Sequence, residues 1–330
     1  MEQAADTLLI CAGFFGYARE IKRHLEMRGR SVALFEDRPV IGNLTKGVLR
    51  VAPSILRAKA DAYFDSIIAQ AQAWPIKDVL VIKGEALSQA AIRAMRKAFP
   101  SARFTLYFWD AYLNMPRDSR KKVALFDRVL TFDPRDAAQD RRMTYRPLFY
   151  VEDEARPVVA EQDIDLLFFG TMHGDRHAVL KRIERVLPKH LQFQKVLYLP
   201  ASWLYPVRAL RDPTLLWGSA RDFIYAPKTK AEIAILTARS RIVVDIERPV
   251  QRGYTIRAIE VLRAGRKLIT TNPEMANADF YNPANIAIVD RKAPKFSEEF
   301  LHMPYEPPPA EILQRYSLDS WLDEVMPQTR

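Results

Sequence analysis

One rhythm constrains this chain more than any other feature. Short apolar runs stop on glycine or an acidic residue, and amphipathic stretches separate them. Thr7–Ala12 stops at Gly13, Val79–Ile82 at Lys83-Gly84-Glu85, and Phe104–Phe108 at Trp109-Asp110. Runs this short with such punctuation read as buried strands, and the amphipathic stretches between them as helices. A helix over Ala18–Arg28, stopped by Gly29, links the first run to Ser31–Phe35, which closes on Glu36-Asp37-Arg38-Pro39. Strand, helix and strand make a βαβ unit, and such units build a parallel sheet with helices on both faces. A helix over Pro53–Trp74, with Ile55, Phe64, Ile67 and Ile68 on its apolar side, extends the series. Another runs from an N-capping Ser88 to Ala98, stopped by Pro100, and Arg128–Phe132 is a further strand.

Residues 151–163 are acidic, contain proline and lack periodicity, and beyond them the rhythm restarts. Ile164–Phe169 is a strand, Gly170–Arg176 a glycine-bearing loop and 177–186 a helix. Strands follow at Phe193–Leu199, Ser240–Ile246, Lys267–Thr271 and Asn285–Asp290, with a last helix near Leu318–Met326. A chain of 330 residues exceeds what one core usually serves. The expected division is a Rossmann-like domain over 1–150, a linker over 151–163 and a second Rossmann-like domain over 164–330 with its tail.

Composition narrows the class. Hydrophobic residues make 48% and charged residues 27% of the chain, the balance of a globular protein, and no apolar run is long enough to span a bilayer. The acidic start lacks the basic segment and apolar core of a signal peptide, which places the expectation in the cytoplasm. Cys11 is the sole cysteine, so an internal disulfide and a cysteine-cluster metal site are excluded. The net charge is +10, and residues 1–157 hold 26 basic and 19 acidic side chains, so the excess lies mainly in the first half. It suits an anionic substrate or lipid surface; no nucleic-acid-binding signature accompanies it, so nucleic acid is not an expected partner. The stretch 108–122 mixes Phe108, Trp109 and Tyr112 with Arg120, Lys121 and Lys122. It is the candidate for peripheral contact with the anionic inner face of a membrane, against the alternative of a solvated basic loop beside a core aromatic cluster.

The densest chemistry is late, in Gly253-Tyr254-Thr255-Ile256-Arg257-Ala258-Ile259-Glu260. Glycine before a helix lets backbone N–H groups and the positive end of the helix dipole meet an anion. Arg257 and Glu260 are three apart and share a helix face, suited to a diphosphate and to a ribose diol respectively. The alternative is an ordinary helix with an ion pair, N-capped by Thr255. Near the start, Gly13-Phe14-Phe15-Gly16 is Gly-x-x-Gly and fails as a dinucleotide fingerprint.

The ordered blocks Asp127–Pro134, Arg146–Tyr150, Leu167–Gly170 with Arg176, Gly253–Glu260, Lys267–Asn272 and Phe280–Ile286 with Asp290-Arg291 carry a resemblance covering both halves. The chain resembles GT-B glycosyltransferases of bacterial capsule, exopolysaccharide and lipopolysaccharide biosynthesis. The resemblance implies an α/β fold of two Rossmann-like doubly wound domains facing across a cleft, and a glycosyltransferase activity without a cofactor. The substrates would be a nucleotide-diphosphate sugar, gripped by the second domain, and a glycan or lipid-linked glycan acceptor on the first. Gly170, Thr171, His173, Arg176, Gly253, Tyr254, Thr255, Arg257 and Glu260 form the expected donor site.

Many retaining enzymes of this type carry two glutamates separated by seven residues at this helix; Glu260 would need an acid at position 252, which is Arg252, and that leans towards inversion. Inversion needs a base on the acceptor side, and Asp110, Asp37 and Glu85 are the candidates. Phe14, Phe15, Gly16, Tyr17, Lys83 and Trp109 complete the expected acceptor-side loops. His24 is expected at the surface, and His177 as an ordinary helix residue. Asp163 and Asp165 have Asp-x-Asp spacing but precede a buried strand by pattern, so no motif is available for a metal–diphosphate bridge and no metal is expected. A nucleotide-sugar epimerase or hydrolase, and a non-catalytic sugar-nucleotide-binding component of an assembly complex, remain open alternatives.

Overall fold

A computed structural model describes residues 4–13, 16–38, 53–116, 118–152, 161–210, 215 and 222–327. The chain forms two compact units, one of Met1–Leu148 with Leu318–Arg330 and one of Phe149–Ser317.

In the first unit, β1 (Thr7–Cys11), β2 (Val32–Phe35), β3 (Asp78–Ile82), β4 (Arg103–Phe108), β5 (Arg128–Thr131) and β6 (Met143–Tyr145) make one sheet. Its order is β2-β1-β3-β4-β5-β6 and every pairing is parallel. All five residues of β1 and of β3 are buried, as strands with both faces covered must be. Helices α1 (Tyr17–Met27), α2 (Pro53–Ala71) and α3 (Gln89–Ala98) cross between strands. Phe64 and Ile67 of α2 and Ile92 and Met95 of α3 pack with Leu8, Ile10, Val79, Val81 and Phe104 in one core. Ser88 caps α3, its hydroxyl accepting from Ala91 N at 3.0 Å. Pro134–Gln139 forms α4 before β6.

The second unit repeats the plan. Its strands are β7 (Ile164–Thr171), β8 (Phe193–Tyr198), β9 (Phe223–Ile224), β10 (Ser240–Asp245), β11 (Lys267–Thr270) and β12 (Ile286–Ile288). They are parallel in the order β12-β11-β10-β7-β8-β9. The helices are α5 (Arg176–Val186), α6 (Leu204–Ala209), α7 (Lys230–Arg239), α8 (Ile256–Ala264), α9 (Glu298–His302) and α10 (Ala310–Arg315). Strand order reverses between β1 and β3 in the first sheet and between β7 and β10 in the second. At such switch points the crevice beyond the strand carboxyl ends is open to a ligand.

Two expectations need correction, and the aromatics of 108–122 lie in the core, as one of the two readings of that stretch had them. The last helix, α11 (Leu318–Val325), belongs to the first unit and not the second. Trp321 is fully buried, edge-on to Tyr107 at 4.8 Å between ring centres, and Leu318, Leu322 and Val325 are buried beside it. His24 is buried instead of exposed, with Nδ1 3.1 Å from the Asp319 carboxylate of α11. Arg28 also holds Asp319 and Asp323. The basic aromatic stretch is largely core: Phe108, Trp109, Tyr112 and Met115 are buried, and Lys122 turns inward to donate to Gly84 O at 2.9 Å. Only part of it faces water, including Leu113. Among the described residues, no helix is long and apolar enough to cross a membrane.

Candidate functional site

The second unit gathers its charged side chains at the β7/β10 switch point. β7 ends in Gly170-Thr171 and β10 in Asp245, and α8 follows β10 with Arg257 in its first turn. Thr255 N-caps α8, its hydroxyl accepting from Ala258 N at 3.1 Å, so that side chain serves the helix. The loop before it is pinned: Asn272 Nδ2 donates to Arg252 O at 3.1 Å and Gly253 O at 3.2 Å. Gly253 and Tyr254 are buried, the Tyr254 ring edge-on to Phe280 at 5.5 Å between centres. Tyr254 is thus a wall of the loop packed into the core.

Arg257 points back over the strand ends. Its Nη1 donates to Asp245 Oδ1 at 2.7 Å, and its guanidinium carbon lies 5.3 Å from the Phe168 ring centre and 4.8 Å from that of Phe169. Its Nε is buried without a hydrogen-bond partner. Arg176 opens α5 and is itself buried, its Nε donating to Ile246 O and its Nη1 to Thr171 O, each at 2.9 Å. Burial, then the neighbouring Arg257 charge, pull its pKa down to about 9. Both arginines crowd one glycine: a Cβ on Gly170 would stand 2.7 Å from Arg257 Nη2 and 3.4 Å from Arg176 Nη1. Only a residue without a side chain leaves the Arg257 guanidinium in place. His173 is half-buried in the loop beyond, and Glu260 is half-buried on α8.

A second layer, which sequence reasoning missed, steadies this edge. Arg291 after β12 grips Asp175 with two donors (2.6 and 3.1 Å) and reaches Glu247 Oε1 at 2.6 Å and Thr271 Oγ1 at 3.0 Å. Hydrogen bonding to Arg291 opposes the modest effect of burial and holds the Asp175 carboxyl below its usual range, whereas burial raises that of Glu247. The signal was available only as a block, Asp290-Arg291 after an apolar run. Asp245 was equally unforeseen as the partner of Arg257.

The first unit gathers its candidates at the β1/β3 switch point. Lys83 Nζ lies 2.5 Å from Asp110 Oδ2 and 3.3 Å from Glu85 Oε1, joining the ends of β3 and β4. Lys83 has φ 70° and Gly84 φ 63°, so a lysine is held in left-handed backbone, a strain that clusters at functional sites. Asp37, fully buried, accepts from Glu85 N at 2.9 Å through Oδ2, while its Oδ1 has no partner. Burial pushes its pKa up to about 6, against the Glu85 N–H, which favours the ionised form. Lys122, drawn under the Gly84 and Glu85 carbonyls, has its pKa lowered by burial. Tyr17 opens α1 behind Gly16 and is buried against Trp109, the ring centres 5.6 Å apart. Phe14 and Phe15 lie outside the described residues. All three carboxylates are therefore brought to one edge, with Lys83 between two of them. Among the described residues, no group of three or more His, Cys, Asp or Glu side chains is placed to hold a metal ion.

Two Rossmann-like α/β units, each a six-stranded parallel sheet, define the GT-B fold. Similar solved structures span the whole chain. Anabaena HepE in complex with UDP and glucose superposes with a TM-score of 0.59 at 13% identity over 97% of this chain and 98% of its own. Sucrose-phosphate synthase from Thermosynechococcus elongatus gives 0.60 at 10% identity over 90% and 88%, and apo OtsA 0.63 at 8% over 99% and 100%. No protein-family model and no curated protein matches the sequence.

Proposed function

We propose that the chain is a glycosyltransferase that moves a sugar from a nucleoside-diphosphate donor to a surface polysaccharide or lipid-linked glycan on the cytoplasmic side. The observation that carries this reading is the convergence of Arg176 and Arg257 on Gly170 at the β7/β10 switch point. Two guanidinium groups there are balanced by one directly paired carboxylate, Asp245, and Arg257 Nε is an unused buried donor. A diphosphate supplies both the missing charge and the missing acceptor. HepE has been solved with UDP and with UDP-glucose, which supports a nucleotide sugar as the ligand class.

In this reading Arg257 and Arg176 hold the diphosphate and stabilise it as it leaves, without a metal. Glu260 takes the ribose, and Gly170, Thr171, His173 and Gly253 shape the pocket. The acceptor hydroxyl oxygen attacks the anomeric carbon with inversion as its proton passes to Asp37 and the bond to the nucleoside diphosphate breaks. Asp37 ranks above Asp110 and Glu85 because both of those are engaged by Lys83, whereas Asp37 Oδ1 is buried without a hydrogen-bond partner and burial raises its carboxyl pKa to about 6.

Calorimetric titration with a panel of nucleoside diphosphates tests the reading. At least one should bind to the wild type, and Arg257→Ala should weaken it by tenfold or more. Absence of binding by every one at millimolar ligand sinks the donor site. Binding without transfer to any glycan acceptor, unchanged in Asp37→Asn, leaves a non-catalytic binding component.

A further inference from the structure

The side chain of Arg291, which follows β12, reaches across the carboxyl edge of the second sheet to three other segments. Thr271 follows β11, Glu247 follows β10 and Asp175 stands immediately before α5, and all three side chains meet the Arg291 guanidinium. Its Nη2 also donates to Glu247 O at 3.1 Å, and Arg182 of α5 donates to Arg291 O at 3.1 Å. One arginine thus joins the ends of three neighbouring strands to the start of α5. The helix forgoes a local contact for this link. Asp175 occupies the N-cap position of α5, where an aspartate ordinarily accepts from the helix's own N–H groups, yet its side chain makes no capping hydrogen bond. Both of its oxygens are turned to Arg291 instead.

The segments so joined are those that hold Arg176. Asp175 precedes it in the chain, and Ile246, whose carbonyl accepts from Arg176 Nε at 2.9 Å, precedes Glu247. The second acceptor, Thr171 O at 2.9 Å, lies at the end of β7. Main-chain carbonyls carry no formal charge, so the place of this buried guanidinium depends on where α5 starts relative to the end of β10. Arg291 sets that separation. It grips the residue before Arg176 with two donors, and the residue after Ile246 through both its carboxylate and its carbonyl. A binding group keeps its geometry only as well as the hydrogen-bonded groups behind it keep theirs.

We propose that Arg291 is a positioning residue for the anion site: without touching the diphosphate, it holds Arg176 in place beside Arg257. This role deepens the donor-site reading and rests on it for its ligand. The test is a double-mutant cycle read by calorimetry with UDP, GDP and ADP, using whichever binds the wild type most tightly. Arg291→Ala should weaken binding about tenfold in the wild-type background and at most about twofold in Arg176→Ala, as for two residues acting through one contact. Loosening of the whole unit would lower affinity by the same factor in both backgrounds, and that result overturns the proposal. Asp175→Asn, at a carboxylate 41% exposed, keeps the shape of the side chain and should weaken binding about threefold; it takes the place of Arg291→Ala should that variant melt early. A second readout needs no nucleotide. The Arg176 Nε–H, sheltered by Ile246 O, should exchange with water at least about fivefold faster in either variant, followed by NMR on protein with isotope-labelled arginine. Unchanged exchange overturns the proposal. Nucleotide binding that falls in Arg257→Ala but holds in both Arg291→Ala and Asp175→Asn overturns it too, with the donor site intact. Wild type that binds no nucleoside diphosphate sinks the donor-site reading, while the exchange rate still decides whether Arg291 holds Arg176.

Discussion

Asp245 and Arg257 are joined at 2.7 Å at the end of β10, with the carboxylate almost fully buried and the arginine side chain 12% exposed. The pair fixes the arginine that enters from α8, and it compensates one of two neighbouring guanidinium charges. Removing the carboxylate leaves Arg257 and Arg176 side by side with their direct counter-charge gone. Asp245→Asn should therefore destabilise the second unit by about 3–5 kcal/mol, the cost of breaking a buried pair. Thermal unfolding of wild type and variant measures it. An unchanged melting temperature would mean that solvent already screens the pair.

Gly170→Ala separates binding geometry from stability. The new methyl group meets Arg257 Nη2 at 2.7 Å, and the far end of an arginine can swing aside at little cost to the fold. Nucleoside-diphosphate affinity should fall by about tenfold, or about 1.4 kcal/mol, because the Arg257 guanidinium leaves its place. The melting temperature should change less than for Asp245→Asn. Unaltered affinity on calorimetry would detach Gly170 from the anion site.

The sheets were legible because a strand buried on both faces leaves an unbroken apolar run, as in Val79–Ile82 and Val243-Val244. Arg257 and Gly170 were legible because a glycine loop before a helix is a local pattern. What remained hidden was partnership over distance. Nothing in the spacing of Asp245 and Arg257 marks them as paired, because a loop and a helix turn intervene. Lys83 was nameable as a strand-end residue, but its ion pairs with Glu85 and Asp110 depend on which strands are neighbours. Lys122 looked like part of a solvated basic run, and only the fold shows the buried carbonyls that take its charge.

Asp37 should give the protein a distinctive pH dependence. Its pKa is raised to about 6 in the folded chain from 3.8, so between those values the folded state holds more protons than the unfolded state. Its contribution to stability therefore falls as pH rises from about 4 to about 6, and stays low above that. Asp37→Asn removes the penalty and keeps an oxygen for the Glu85 N–H. The variant should gain stability over the wild type at pH 8 and little at pH 4, in denaturant titrations at both values. The same group as general base should give kcat/KM an acid limb near pH 6, absent from the residual activity of Asp37→Asn. A limb that persists in the variant assigns the base to another group.

Trp321 carries the strongest test of how the chain closes on itself. It sits near the C-terminus, yet its ring is fully buried and edge-on to Tyr107 of β4, and Asp319 in the same helix faces His24 of α1 and Arg28 just past its end. Trp321→Ala should cost about 3–5 kcal/mol through the cavity it opens. The loss should appear in the first unit: amide hydrogen exchange should accelerate in β4 and α1, while β10 and β11 keep their protection. If α11 instead belonged with residues 164–317, as chain order alone suggests, the acceleration would fall in β10 to β12. That outcome would remove the long-range closure, whereas the expected one makes the last helix part of the platform that carries Asp37, Lys83 and Asp110.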